Sequence, residues 1–175
     1  MESVLAVKNL SIDFLTPTGS VHALRDVNLS IAQKRIVGIV GESGSGKSTV
    51  VSAVMRLLAN NASVHSGEIE FEGRNILAMK EQELRALRGE EIAMVFQDPM
   101  TAQTPVRSIG QQMMDIQYRR SLSRKEKREN AIEMLNRVGI PDSMDRFDQY
   151  PHQFSGGMRQ RISIAMALMM NPKLL

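Results

Sequence analysis

The chain has 175 residues, no cysteine and a net charge of +3 at pH 7. That length suits about one domain with a real core; disulfides and thiolate metal sites are excluded, and mild, interspersed charge argues against nucleic acid as the main partner. No apolar run approaches the roughly 18 to 20 residues of a membrane span, and Met1-Glu2-Ser3-Val4 lacks the basic start of a signal peptide.

Val4 to Phe14 and Val21 to Ile31 read as two strands broken at Thr16-Pro17-Thr18-Gly19. Alternation in Val27-Asn28-Leu29-Ser30-Ile31 gives them one buried face. Phe14 has two readings: ordinary core, the commoner fate of a phenylalanine, or a flat platform for a nucleobase. Arg35 to Val40 then reads as a short buried strand. It runs into Gly41-Glu42-Ser43-Gly44-Ser45-Gly46-Lys47-Ser48-Thr49, which fits the phosphate-cradling pattern G-x-x-x-x-G-K-[ST] at every fixed position. Val50, Val51, Ala53, Val54, Leu57 and Leu58 follow at helical spacing. The motif therefore sits in a turn from strand to helix. Its glycines let successive backbone N–H groups face an anion, and the helix adds the positive end of its dipole. Lys47 supplies a charge for the β- and γ-phosphates, and Ser48 a hydroxyl for magnesium. The pattern points to a nucleoside-triphosphate site.

Ser63 to Ser66 reads as a loop, Gly67 to Gly73 as a half-exposed strand, and Glu81 to Leu87 as a short helix. Glu91 to Phe96 reads as a second buried strand ending at Gln97-Asp98-Pro99, where a polar side chain is placed to face a ligand, with a plain exposed strand-end glutamine as the alternative and the phosphate loop favouring the former. From Met100 the pattern turns helical. Ile109 to Tyr118 and Lys125 to Val138 read as helices, the second with a capping box from Ser123 to Glu126 and a stop at Gly139. Its Ala131, Met134, Leu135 and Val138 form a core-facing stripe. Arg119, Arg120, Arg124, Lys125, Lys127 and Arg128 read as a solvated basic face, with a docking surface as the alternative. Finally, Ser155 caps an apolar helix over Ile162 to Met170, and Gly156-Gly157 expose backbone N–H groups at its start. This reads as a second anion grip of different design, with an ordinary N-cap and glycine turn as the alternative.

Taken together, these motifs resemble the ATP-binding subunits of ABC transporters, over the whole chain. Gly41 to Thr49 is similar to the family's Walker A loop, Val95-Phe96-Gln97-Asp98-Pro99 to its Q-loop, and Phe154-Ser155-Gly156-Gly157-Met158 to its signature. Asp98-Pro99-Met100-Thr101 and Tyr150 to Arg161 look most like the branch importing dipeptides, oligopeptides and nickel. The resemblance implies an α/β fold: a P-loop NTPase (RecA-like) core, an N-terminal antiparallel β-subdomain and an inserted α-helical subdomain. It divides the chain into 1–99, the β-subdomain and phosphate-loop core; 100–151, the helical subdomain; and 152–175, the signature and its helix.

Carried over by position, the resemblance gives ATP and Mg2+ as cofactors and Gly41 to Thr49 as the phosphate cradle. Lys47 holds the β- and γ-phosphates and Ser48 the magnesium; Gln97 contacts magnesium or the attacking water, and Phe14 stacks on adenine. Ser155, Gly156 and Gly157 reach the ATP of an opposite subunit, identical or homologous, in a head-to-tail dimer. Implied partners are integral-membrane permease subunits and, indirectly, an external solute-binding protein; the implied place is the cytoplasmic face of the inner membrane, peripherally bound. Rival readings are a soluble ABC-type ATPase acting on nucleic acid or ribosomes, and a nucleotide-binding fragment without turnover.

Departures from the family pattern are Phe154 and Met158, where leucine and glutamine are usual, and Ala102-Gln103-Thr104-Pro105 after the Q-loop. The family's Walker B aspartate and glutamate, D-loop and switch histidine have no match here; His22, His65 and His152 stand elsewhere. The expectation is a partial nucleotide-binding domain that grips ATP and does not hydrolyse it alone. No N-K-x-D guanine motif and no G-x-G-x-x-G dinucleotide motif occur.

Overall fold

In the computed structural model, β1 (Ser3–Thr16) and β2 (Gly19–Ala32) form a long hairpin, joined at the turn expected from Pro17 and Gly19. β3 (Ala62–Phe71) pairs with the other edge of β1, and the short β4 (Arg74–Asn75) pairs with β3. The sheet is antiparallel with order β2-β1-β3-β4. Leu5, Val7, Leu10, Ile12, Ile69 and Phe71 are buried in it. The structure describes residues 3–98 and 102–175. The readings made on Met1, Glu2 and Pro99 to Thr101 lie outside them.

The chain divides into two compact units, Met1–Ala86 and Leu87–Leu175. The first holds the sheet, α1 (Lys47–Val54) and most of α2 (Glu81–Leu87). α1 stops earlier than the apolar pattern to Leu58 suggests. Arg56 turns left-handed at φ 47°, and the N–H groups of Arg56 and Leu57 reach back to the carbonyls of Ala53 and Ser52 at 3.0 and 2.8 Å. That is a Schellman stop, here closed without glycine. A single-turn 3-10 segment, Ile76–Ala78, buries Ile76.

Three expectations need correction. Residues 35–40 form no strand, and Ile36 and Val40 stand 102% and 95% exposed. A continuous apolar run becomes a buried strand only with paired neighbours and covered faces, and no strand among the described residues pairs with this segment. Glu91 to Phe96 forms no ladder either: only Ile92 makes parallel bridges, to Arg88 and Leu174, although Ile92 and Ala93 are buried as expected. Ser63 to Ser66, read as a loop from their polarity, belong to β3, because their backbone pairs with Ser11 to Asp13 of β1.

The second unit is helical. α3 (Ile109–Ile116), α4 (Arg124–Arg137), the short α5 (Ser143–Arg146) and α6 (Gly156–Leu168) surround a core of Ile109, Met113, Ala131, Leu135, Phe147 and Ile162. The Ser123–Glu126 capping box forms in both directions, and the expected stripe is seated: Ala131 and Leu135 are buried, with Met134 and Val138 packed against the same core. Phe147 is fully buried. Its ring lies over Gly110 so closely that a β-carbon there would fall 2.1 Å from it, and the Arg128 guanidinium stacks 4.1 Å from its centre. Burying such a side chain contributes about 1.5–3 kcal/mol. α6 begins at Gly156, directly after the cap Ser155, so the apolar run is its later part.

Candidate functional site

The phosphate-loop residues are exposed as far as Ser45, and the turn is closed by the Ser45 N–H donating to the Glu42 carbonyl at 3.2 Å. Gly44 and Gly46 are left-handed, at φ 82° and 90°. Gly46, the residue before α1, can be nothing else. A β-carbon there would add strain and lie 2.6 Å from Leu24 Cδ2 and 3.0 Å from the Ala23 carbonyl oxygen. α1 thus starts with no side-chain cap and no acidic residue in its first turn. Its first N–H groups have no partner within the helix and sum to a partial positive charge facing the loop. The Lys47 ammonium closes the arrangement, donating to the carbonyls of Gly41 and Glu42 at 2.8 and 2.6 Å and to Ser45 Oγ at 3.2 Å. Positive charge and N–H donors converge on one exposed loop. That is the chemistry of polyphosphate binding.

The donor set also suits magnesium brought in with phosphates. Ser48 is exposed in the first turn of α1 and offers one hydroxyl oxygen. Among the described residues no group of three histidine, cysteine or acidic side chains is placed to hold a metal alone. Magnesium commonly takes few protein ligands and completes its shell with water and phosphate oxygens.

Phe14 lies on β1, half-buried, opposite Val21 of β2 and Ala62 of β3. Gln97 and the signature belong to the second unit. Gln97 is exposed in a bend five residues after the buried Ile92. Ser155 Oγ accepts from the Met158 N–H at 3.4 Å, so the expected cap is present. Phe154, where the family usually has leucine, is buried in the helical core. Gly156 and Gly157 differ in kind from Gly46: a β-carbon on either would meet nothing within 4 Å. Nothing inside the described chain requires glycine at these two positions.

Two features were missed at the sequence level. Gln103, in the stretch whose wording departs from the family, is buried and donates to the Arg159 carbonyl at 2.8 Å and Ser163 Oγ at 3.0 Å, tying the segment before α3 to α6. Asp13, the one acidic residue of β1, is 5% exposed and faces His22 and His65. Burial is the largest single influence on its carboxyl and pulls it upward. The hydrogen bonds and charges of His22 and then His65 together outweigh that and hold it below the usual aspartate range. The sequence signal was the aspartate itself; its partners, His22 across the hairpin and His65 far along the chain, depend on register.

A family described as "ABC transporter" matches residues 24–175. The chain is 45% identical over 176 residues to the dipeptide transport ATP-binding protein DppD of Lactococcus lactis subsp. cremoris, covering 99% of this chain and 50% of that protein. It is 47% identical over 175 residues to the oligopeptide transport ATP-binding protein OppD of Escherichia coli, covering 99% and 52%. It thus spans about half the length of the curated relatives it matches. Among solved structures, the dimeric bacterial ABC transporter cassette MJ0796 superposes with a TM-score of 0.84 at 28% identity, over 96% of this chain and 70% of that one. A post-hydrolysis dimer of the same cassette, bound to ADP and Pi, gives 0.83 at 29% identity, with the same coverage.

Proposed function

This chain belongs to the ABC transporter family, and from that premise we propose that it is an ATP-binding portion of a peptide importer's motor subunit. The observation that carries the reading is the phosphate loop: an uncapped helix start that only glycine can form, with Lys47 over it. ATP's β- and γ-phosphates take the place of the carbonyls that now hold Lys47, and the first-turn N–H groups of α1 donate to them. Ser48 gives its hydroxyl to the magnesium that accompanies the nucleotide, which neutralises phosphate charge. Phe14 stacks on the adenine, and Gln97 faces the metal or the attacking water.

Gly156 and Gly157 support the second half of the proposal. Helical glycine costs roughly 0.5–1 kcal/mol relative to alanine, and no contact within the described chain calls for it here. A close approach from outside does. Ser155, Gly156 and Gly157 are read as reaching the γ-phosphate held by an opposite, identical or homologous subunit, as in a head-to-tail dimer. We read 1–99 as the β-subdomain and phosphate-loop core, 100–151 as the helical subdomain and 152–175 as the signature with its helix. No helix among the described residues is long and apolar enough to cross a membrane. Attachment to the cytoplasmic face of the inner membrane is therefore assigned to docking on permease subunits, with a solute-binding protein acting from outside. Peptide as the solute follows the relatives' names.

The family hydrolyses ATP; its Walker B aspartate and glutamate, D-loop and switch histidine have no match in these 175 positions, so these residues alone are proposed to bind without turnover. Calorimetric titration of the purified chain with Mg-ATP tests both points. Lys47→Ala should weaken binding at least about tenfold, since hydrogen bonds to a charged group are worth about 1.5–3 kcal/mol. Equal affinity of the two proteins overturns the site. Phosphate release that needs Lys47 overturns the absence of turnover.

A further inference from the structure

The ATP reading leaves Asp13 without a task. Its Oδ1 lies 2.6 Å from His22 Nδ1 and its Oδ2 lies 2.8 Å from His65 Nε2, while the Ser20 hydroxyl donates to Oδ2 at 3.2 Å. One carboxylate on the central β1 therefore holds a side chain from each flanking strand, β2 and β3. Desolvating a carboxylate is costly unless it is fully paired, and an apolar residue would fill the position with less risk. What a paired polar cluster adds is a defined geometry.

The geometry at stake is a pair of bulges. Ile12 faces Leu24 while Asp13 faces His22, which makes Ala23 an extra residue in β2. Ser11 faces Ser66 while Ile12 faces Val64, which makes His65 an extra residue in β3. Bulges re-aim the local chain and gather beside functional sites. The β2 bulge is the seat of the phosphate loop: the Ala23 carbonyl and the Leu24 side chain are the two groups that close on Gly46. Gly46 in turn sets the first turn of α1, which carries Lys47 and Ser48.

We propose that Asp13, His22 and His65 are positioning residues for the phosphate loop, pinning the bulge at Ala23 on which Gly46 and the start of α1 rest. The proposal rests on the reading of that loop as the ATP site. In this arrangement the cluster touches no nucleotide. It acts through the bulge on the phosphate grip, so it affects any polyphosphate alike.

The test is titration of the purified chain with Mg-ATP and, separately, with inorganic tripolyphosphate, well below its melting temperature. Asp13→Asn, His22→Leu and His65→Leu should each weaken both ligands about three- to tenfold, the range for loss of a hydrogen bond. His22→Gln and His65→Gln, which keep an N–H donor, should recover most of the loss. If Asp13→Asn does not fold, the exposed His22 and His65 variants carry the test. A fall in melting temperature with unchanged affinities means a structural role only and overturns the proposal. So does weaker ATP with unaltered tripolyphosphate, since the effect would then act on the base. Lys47→Ala separates the premise. Wild-type binding that ignores Lys47→Ala refutes the ATP site itself, whereas binding that needs Lys47 and ignores the cluster refutes only the positioning role.

Discussion

Alanine at Gly156 and Gly157 should stabilise this chain while impairing what it does. Both glycines lie in the first turn of α6, and added β-carbons would meet no atom of the described chain within 4 Å. The substitutions therefore bring no clash, and they remove the extra freedom that glycine has in the unfolded chain. First-turn positions have few intrahelical bonds, so we take the lower end of the helix scale, about 0.5 kcal/mol for each site. The double variant gains about 1 kcal/mol, which raises the melting temperature by about 2–4 °C in a chain of this size. Differential scanning calorimetry of the nucleotide-free protein measures that directly. Sedimentation with and without Mg-ATP then reads association: if the proposed opposite subunit is an identical chain, the wild type should dimerise with ATP, and the double variant should not, because on that reading two methyl groups fill the space proposed for the partner's nucleotide. A lower melting temperature would show a contact absent from this packing. Unchanged ATP-dependent dimerisation would remove the assignment of these glycines to a partner's site.

Gly110→Ala should cost about 1–3 kcal/mol, the usual range for overpacking, because its β-carbon would sit 2.1–2.4 Å from three atoms of the buried Phe147 ring; combined with Phe147→Leu the loss should be less than additive, as urea titration can show. Ser123→Ala should remove about 1 kcal/mol from α4, since its hydroxyl accepts from the Glu126 N–H at 3.2 Å and its own N–H donates to Glu126 Oε2 at 2.7 Å, and Mg-ATP affinity should not change. Asp13 gives an acid-side signature. Its carboxyl is held below its ordinary value of 3.8, so its contribution is complete above that pH and disappears as pH falls through the lower folded value. The gap in melting temperature between wild type and Asp13→Asn should be largest at about pH 5 and above and close below about pH 4; a gap that widens in acid contradicts that sign.

Features that depend on neighbours in the sequence were legible. The turn at Pro17-Thr18-Gly19, the cap at Ser155 and the Ser123–Glu126 box all form, because each rests on a few adjacent residues. Features that depend on distant partners were not. Arg35 to Val40 has the composition of a central parallel strand, yet composition cannot supply the strands beside it, and Ile36 and Val40 stand in solvent. Ser63 to Ser66 failed in the opposite direction: polar residues joined β3 because β1 offered them backbone partners. Asp13, His22 and His65 converge only once two bulged registers are known. Within the candidate site the same line divides the loop, whose motif is local, from its seat on Ala23 and Leu24, which is not.

The two helix starts with glycine are built under opposite constraints. At α1 the glycine is demanded from within: left-handed backbone, Leu24 and the Ala23 carbonyl leave no room for a β-carbon. At α6 the backbone is ordinary helix and the space around Gly156 and Gly157 is open. Neither helix carries an acidic residue in its first turn, a trait shared with α3, whereas α2 and α4 carry Glu81, Glu83 and Glu126 there. An anion already supplied by the chain would compete with one arriving from outside, and both starts avoid it. The difference lies in where the demand for glycine originates. Two glycines that relieve no contact within the described chain are what the proposed head-to-tail reading requires at α6: room for a partner's group to approach the helix start.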